Sequence, residues 1–95
     1  PQVTASSTAL ALDAISIYRV MPEDLQRSIK TLSASREAFI LSTHQINSQR
    51  ELKIMWGDSK NLALKVKVLK ALLALAENKE VKKIDLSAPH APIVK

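Results

Sequence analysis

The chain contains no cysteine, which excludes disulfides, thiol nucleophiles and thiolate metal sites. It has one glycine, Gly57, too few to build a glycine-rich phosphate cradle. Its aromatics are Tyr18, Phe39 and Trp56, so the core must be aliphatic and a base-stacking platform is poorly supplied. No apolar run approaches the roughly 20 residues of a membrane-spanning helix. The longest, Val68 to Ala76, is broken by Lys70. The first residue is Pro1 and not Met, from which a piece of a longer protein is expected.

What is present suits one small domain over residues 1–95. A hydrophobic share of 46% and a charged share of 24% are ordinary for a globular chain with a single core. The net charge is +5. Its bland meaning is a solvated basic surface; its sharper meanings are attraction to nucleic acid, to an anionic membrane surface or to an acidic partner.

Hydrophobic spacing divides the chain. Leu10, Ala14, Ile17 and Met21 recur at helical intervals, after possible N-caps at Ser6, Ser7 and Thr8, and predict a helix over 9–20. Pro22 ends it and suits the first turn of a short helix over 22–28, where Glu23 and Asp24 favour the positive N-terminus. The period then drops to two, which predicts strands near 29–34, 37–44 and 50–56. Short connections make an antiparallel meander the simplest topology, with Asn47 in the left-handed conformation at the glycine-free turn.

Gly57 follows Trp56 where strand must turn sharply into helix, with Asp58 or Ser59 as cap. The next helix, over 60–77 with Asn78 as stop, separates Lys60, Lys67 and Lys70 from Leu62, Val66, Leu69 and Leu72 at about 100° per residue. Lys65 falls on the apolar side, either as a snorkelling lysine or as a cation near a partner groove. Strands over 81–86 and 91–95 complete an α+β reading: an antiparallel sheet of about five strands with two to three helices packed on it.

The constellations for catalysis are weak. His44 and His90 stand on separate elements without ligating companions, so each reads as a surface histidine and no metal or other cofactor is expected. No serine lies in a nucleophile elbow. Asp58 reads as a cap and Asp85 as structural, so an enzyme is not expected. The basic charge leaves nucleic-acid binding as the alternative function, although the lysines of the long helix are scattered and no helix-turn-helix or aromatic ribonucleoprotein pattern occurs.

The last stretch, Ile84-Asp85-Leu86-Ser87-Ala88-Pro89-His90-Ala91-Pro92-Ile93-Val94-Lys95, carries the functional signal. Proline cannot donate to a ladder, so Pro89 and Pro92 push the tail toward a sheet edge. An edge strand is where another chain can add.

Taken together, the Met21-Pro22 step, the three strands, Trp56-Gly57, the run from Leu64 to Leu73 and the Ile84-Asp85-Leu86-Ser87 ending resemble the C-terminal β-domain of the bacterial cell-division family FtsQ (DivIB in many Gram-positive bacteria), in wording closest to actinobacterial members. The resemblance spans nearly the whole chain. It departs from the pattern at Asn47-Ser48, where the family often has glycine, and in the first helix, which matches only in pattern.

The resemblance implies a non-catalytic scaffold of the divisome, binding FtsB and FtsL through the terminal strand during septum formation. It implies a single-pass membrane protein whose extracytoplasmic part includes this domain, with a cytoplasmic tail, span and POTRA domain upstream. Carried over, the partner-binding residues are Ala91, Pro92, Ile93, Val94 and Lys95, with Lys65 and Lys67 available to acidic groups of the partner. Trp56, Gly57, Asp85 and Pro89 take structural roles.

Overall fold

The computed structural model describes residues 2–5, 8–35, 39–58, 60–75, 80–88 and 90–95. Ser6, Ser7, Ser59, Asn78 and Pro89, all assigned roles from sequence, lie outside the described residues. The elements are β1 (Gln2–Ala5), α1 (Thr8–Val20), α2 (Glu23–Ser28), β2 (Ile29–Ser35), β3 (Phe39–Asn47), β4 (Arg50–Gly57), α3 (Leu62–Ala74), β5 (Lys83–Asp85) and β6 (Ile93–Val94). They form one sheet in the order β1-β2-β3-β4-β5-β6, so every strand pairs with its neighbour in sequence.

The α+β class follows directly, but the sheet is mixed. β2-β3, β3-β4 and β5-β6 are antiparallel; β1-β2 and β4-β5 are parallel. Parallel neighbours need a crossover, and here α1 with α2 supplies one and α3 the other. The simple meander therefore holds across β2, β3 and β4, and the described turn there is Ser48–Gln49 between β3 and β4. β1 extends the sheet beyond the expected set; its polar sequence Gln-Val-Thr-Ala resembles a capping segment more than a strand.

The strands have one buried face. Leu32 and Ala34 of β2, Ile40, Ser42 and His44 of β3, Leu52, Ile54 and Trp56 of β4, and Ile84 of β5 alternate with exposed or half-buried neighbours. Ala14 and Ile17 of α1, Leu25 of α2 and Leu69 of α3 close the core over this face. The period of two in sequence is thus the pleat of a sheet covered on one side.

Two local expectations are corrected. Asn47 is not left-handed; its Oδ1 accepts the Gln49 N–H at 2.8 Å, so a side-chain bond closes the turn that glycine would otherwise make. Among the described non-glycine residues the left-handed one is Asn61 (φ 57°), which stands at the N-cap of α3 without a side-chain cap bond. Asp58 lies further upstream and accepts the Lys60 N–H instead. Helix α3 ends at Ala74, where Leu75 turns extended.

Candidate functional site

The C-terminal strand is built from β4 outward. At the start of β4, the Arg50 guanidinium donates to the Val81 carbonyl at 3.0 Å and 3.3 Å, pinning the chain just before β5. Lys53 N–H then donates to Lys82 O at 2.8 Å and Leu86 N–H to Met55 O at 2.8 Å, which locks β5 along β4. On the far side of β5, Lys95 N–H donates to Lys83 O at 3.0 Å, and Lys95 O accepts from Lys82 and Lys83.

This register sets the edge chemistry. Lys95 spends its peptide groups on β5. Val94, level with Ile84, is a non-hydrogen-bonded pair, so its N–H and C=O point away from β5. Pro92, one ladder step earlier, has no N–H to offer. The outer rim of β6 therefore presents Val94 as its peptide donor. Ile84 is fully buried and Val94 packs against the core, while Ile93 is 52% exposed on the other face. Of the expected partner-binding residues, the structure brings Ile93, Val94 and Lys95 to this edge; Ala91 and Pro92 lead into it, with Ala91 N–H bonded to Ala88 O at 2.8 Å.

The residues behind the edge form a tight corner. Gly57 has φ +80°, and a Cβ there would lie 3.0 Å from both Ser87 Cα and Ser87 Cβ. Glycine is needed twice, for the backbone angle and for the close approach of the chain leaving β5. Asp85 holds that chain: its Oδ1 accepts the Ser87 N–H at 2.9 Å and the Ser87 hydroxyl at 2.6 Å. Burial alone would raise the Asp85 carboxyl, but the Ser87 bonds and the charges of Lys83 and Lys95 outweigh it and hold the group below its ordinary value.

Lys65 is a correction. It is 1% exposed, and its Nζ donates to the Asp58 carbonyl at 2.9 Å and to Asp58 Oδ1 at 3.1 Å. It does not snorkel, and it offers no charge to a partner. Its length lets the ammonium return to the strand-helix corner while its stem fills the core beside Leu69. Bonds from the Lys60 N–H and from Lys65 hold the Asp58 carboxyl below its usual range. Lys67, two residues on, is exposed. The helical turn places the two lysines on different sides, so they form no common rim.

His44 is the second correction, because it is fully buried, as is Ser42. His44 Nδ1 lies 2.9 Å from Leu25 O, which can only accept, so Nδ1 carries the proton. Nε2 is then an acceptor for the Ser42 hydroxyl at 2.8 Å, and Ser42 Oγ accepts the Trp56 indole N–H at 2.9 Å. Ser28 Oγ lies 3.4 Å from Nδ1. Burial lowers the His44 pKa, opposed by the Leu25 bond. Ser42, His44 and Trp56 are fully buried, and among the described residues no buried side-chain N or O atom lacks a partner, so the relay ties α2, β3 and β4 together. Only the Ser42-to-His44 spacing of two, on one strand face, signalled it in the sequence.

A groove of about 390 Å³ runs between α2, the β3-β4 hairpin and α3, floored by Leu25, Ile46, Leu52 and Leu73 with Asp24 and Lys70 at its margin. Among the described residues, no group of three His, Asp or Glu is placed to hold a metal ion, and no helix is long and apolar enough to cross a membrane. No protein-family model matches the chain, and no curated protein matches it.

Proposed function

We propose that the chain is a non-catalytic scaffold domain of the FtsQ/DivIB type that binds FtsB/FtsL-type division proteins by adding a partner strand to β6. The observation that carries this reading is the outward peptide of Val94. It sits on a strand whose inner side is fully engaged by β5 and whose register is fixed from β4. Backbone bonds to such an edge give register, and alternate side chains give selectivity. The resemblance of the chain to FtsQ β-domains supplies the partner class and the setting, the extracytoplasmic side of a single-pass membrane protein at the division septum. The burial of the Ser42-His44 pair supports a binding role over a hydrolytic one.

The test is an amide NMR titration with the extracytoplasmic FtsB–FtsL segment, on the natural chain and on Val94→Pro. Proline is tolerated where a strand N–H faces outward, so this variant removes the edge donor while keeping β5-β6. Shifts centred on Ile93–Lys95 and Lys83–Asp85, lost in the variant, are expected. Equal affinity for both chains would overturn strand addition.

A further inference from the structure

The face of the sheet opposite the core carries two parallel rows that run inward from β6 across the neighbouring strands. Lys53 is level with Lys83, and Lys83 exchanges backbone bonds with Lys95, so three lysines stand side by side on β4, β5 and β6. All three are exposed. With strands about 4.8 Å apart, the row spans about 10 Å. Like charges directly opposite one another destabilise a sheet, and this one places three in succession.

The neighbouring carboxylates are already engaged. Glu51, on the same face as Lys53, accepts from Lys30 Nζ at 2.9 Å. Asp85 Oδ1 is held by Ser87, although its charge offsets part of the field of Lys83 and Lys95.

The second row lies one pleat repeat away, about 6.5–7 Å along the strands. Leu41 is level with Met55, Met55 with Asp85, and Asp85 with Ile93. Leu41 and Met55 are half-buried and Ile93 is mostly exposed. A cationic row and a largely apolar row therefore run side by side across the strands.

We infer that this face docks an acidic, amphipathic segment of a partner protein, with carboxylates over Lys53, Lys83 and Lys95 and apolar side chains over Leu41, Met55 and Ile93. Charge complementarity requires an anion. The apolar row favours a peptide over a nucleic acid, whose phosphate backbone would leave that row uncovered. This surface adjoins the outer rim of β6 and shares Ile93 and Lys95 with it, but it uses side chains of the sheet face and not the outward peptide of Val94, so it stands without the strand-addition reading.

The experiment measures binding of the chain to a synthetic amphipathic peptide with glutamates along one face and leucines along the other. A scrambled peptide of the same composition, a mixed-sequence oligonucleotide and phosphatidylglycerol vesicles serve as comparisons. The amphipathic peptide is expected to bind tightest. Lys53→Glu and Lys83→Glu, both on exposed positions, should each weaken it about three- to tenfold and flatten its salt dependence. Met55→Gln should weaken it while leaving the salt dependence unchanged. Val94→Pro should bind this peptide normally, which separates failure here from failure of strand addition. Equal binding of the scrambled peptide, tighter binding of the oligonucleotide or vesicles, or no effect of the lysine reversals would each overturn the inference.

Discussion

Lys65 Nζ and the Asp58 carbonyl oxygen are 2.9 Å apart, joining a buried cation on α3 to the corner where β4 ends. The lysine stem fills core volume and the ammonium satisfies the corner, so its two roles can be separated by substitution. Lys65→Met keeps the stem and should cost about 1 kcal/mol or less, because its partner Asp58 is exposed and water takes over the bonds the ammonium leaves, so no charge is stranded in the core. Lys65→Ala should cost about 2–4 kcal/mol through the cavity it leaves. Urea unfolding of the two variants checks this, and equal losses would refute the packing role.

Ser42 bridges two buried partners, accepting from the Trp56 indole and donating to His44 Nε2. Ser42→Ala removes one oxygen and strands both groups. At roughly 1–3 kcal/mol for each unsatisfied group, a total loss of about 2–6 kcal/mol is expected. The same change at Ser16, whose exposed hydroxyl bonds to its own helix at Leu12 O, should cost less than about 1 kcal/mol. Thermal denaturation of the pair measures the contrast.

His44 makes stability depend on pH in a defined direction. Its folded pKa is lowered by burial, whereas the unfolded imidazole titrates near about 6.5. Above that value the contribution is fully present. As pH falls toward the folded pKa, the unfolded chain takes up a proton that the folded chain refuses, and stability declines by up to about 1.4 kcal/mol per pH unit. Unfolding free energies between about pH 7.5 and 5, with His44→Gln as the non-titrating control, should show a slope in the natural chain that the control lacks. Proton-coupled NMR should find the Nδ1–H tautomer.

Gly57→Ala tests the corner directly. The new methyl would meet backbone at 3.0 Å, and φ +80° is unfavourable for any side chain, so a loss of about 2–4 kcal/mol is expected. Because the obstructing atoms belong to Ser87, the damage should reach β5. Chemical-shift changes at Ile84–Ser87 would report that, and a perturbation confined to β4 would contradict it.

Legibility in the sequence followed the range of the interactions. The alternation in β2, β3 and β4 and the leucine spacing of α3 exposed those elements because a covered face leaves a local imprint. Whether a strand runs parallel to its neighbour leaves none, so β1-β2 and β4-β5 were not legible. Lys65 showed its apolar surroundings through spacing from Leu62, Leu69 and Leu72, but its partner Asp58 precedes the helix, outside that periodicity. His44 looked solitary because the Leu25 carbonyl reaches it, and Trp56 reaches its partner Ser42, only through the fold. The edge position of Ile93–Val94 was legible from its prolines, whereas the lysine row required the register of three strands.

The two crossovers also order the assembly of the sheet. The β3-β4 hairpin closes through a short turn, whereas β5 must wait for α3 to fold back, and β6 has only β5 to hold it. Amide exchange should therefore be slowest at the β3-β4 hairpin and fastest among the sheet amides at Ile93–Lys95. A strand laid against β6 would give the last-formed and least protected part of the sheet a second neighbour, so binding there would register as local stabilisation before any change elsewhere.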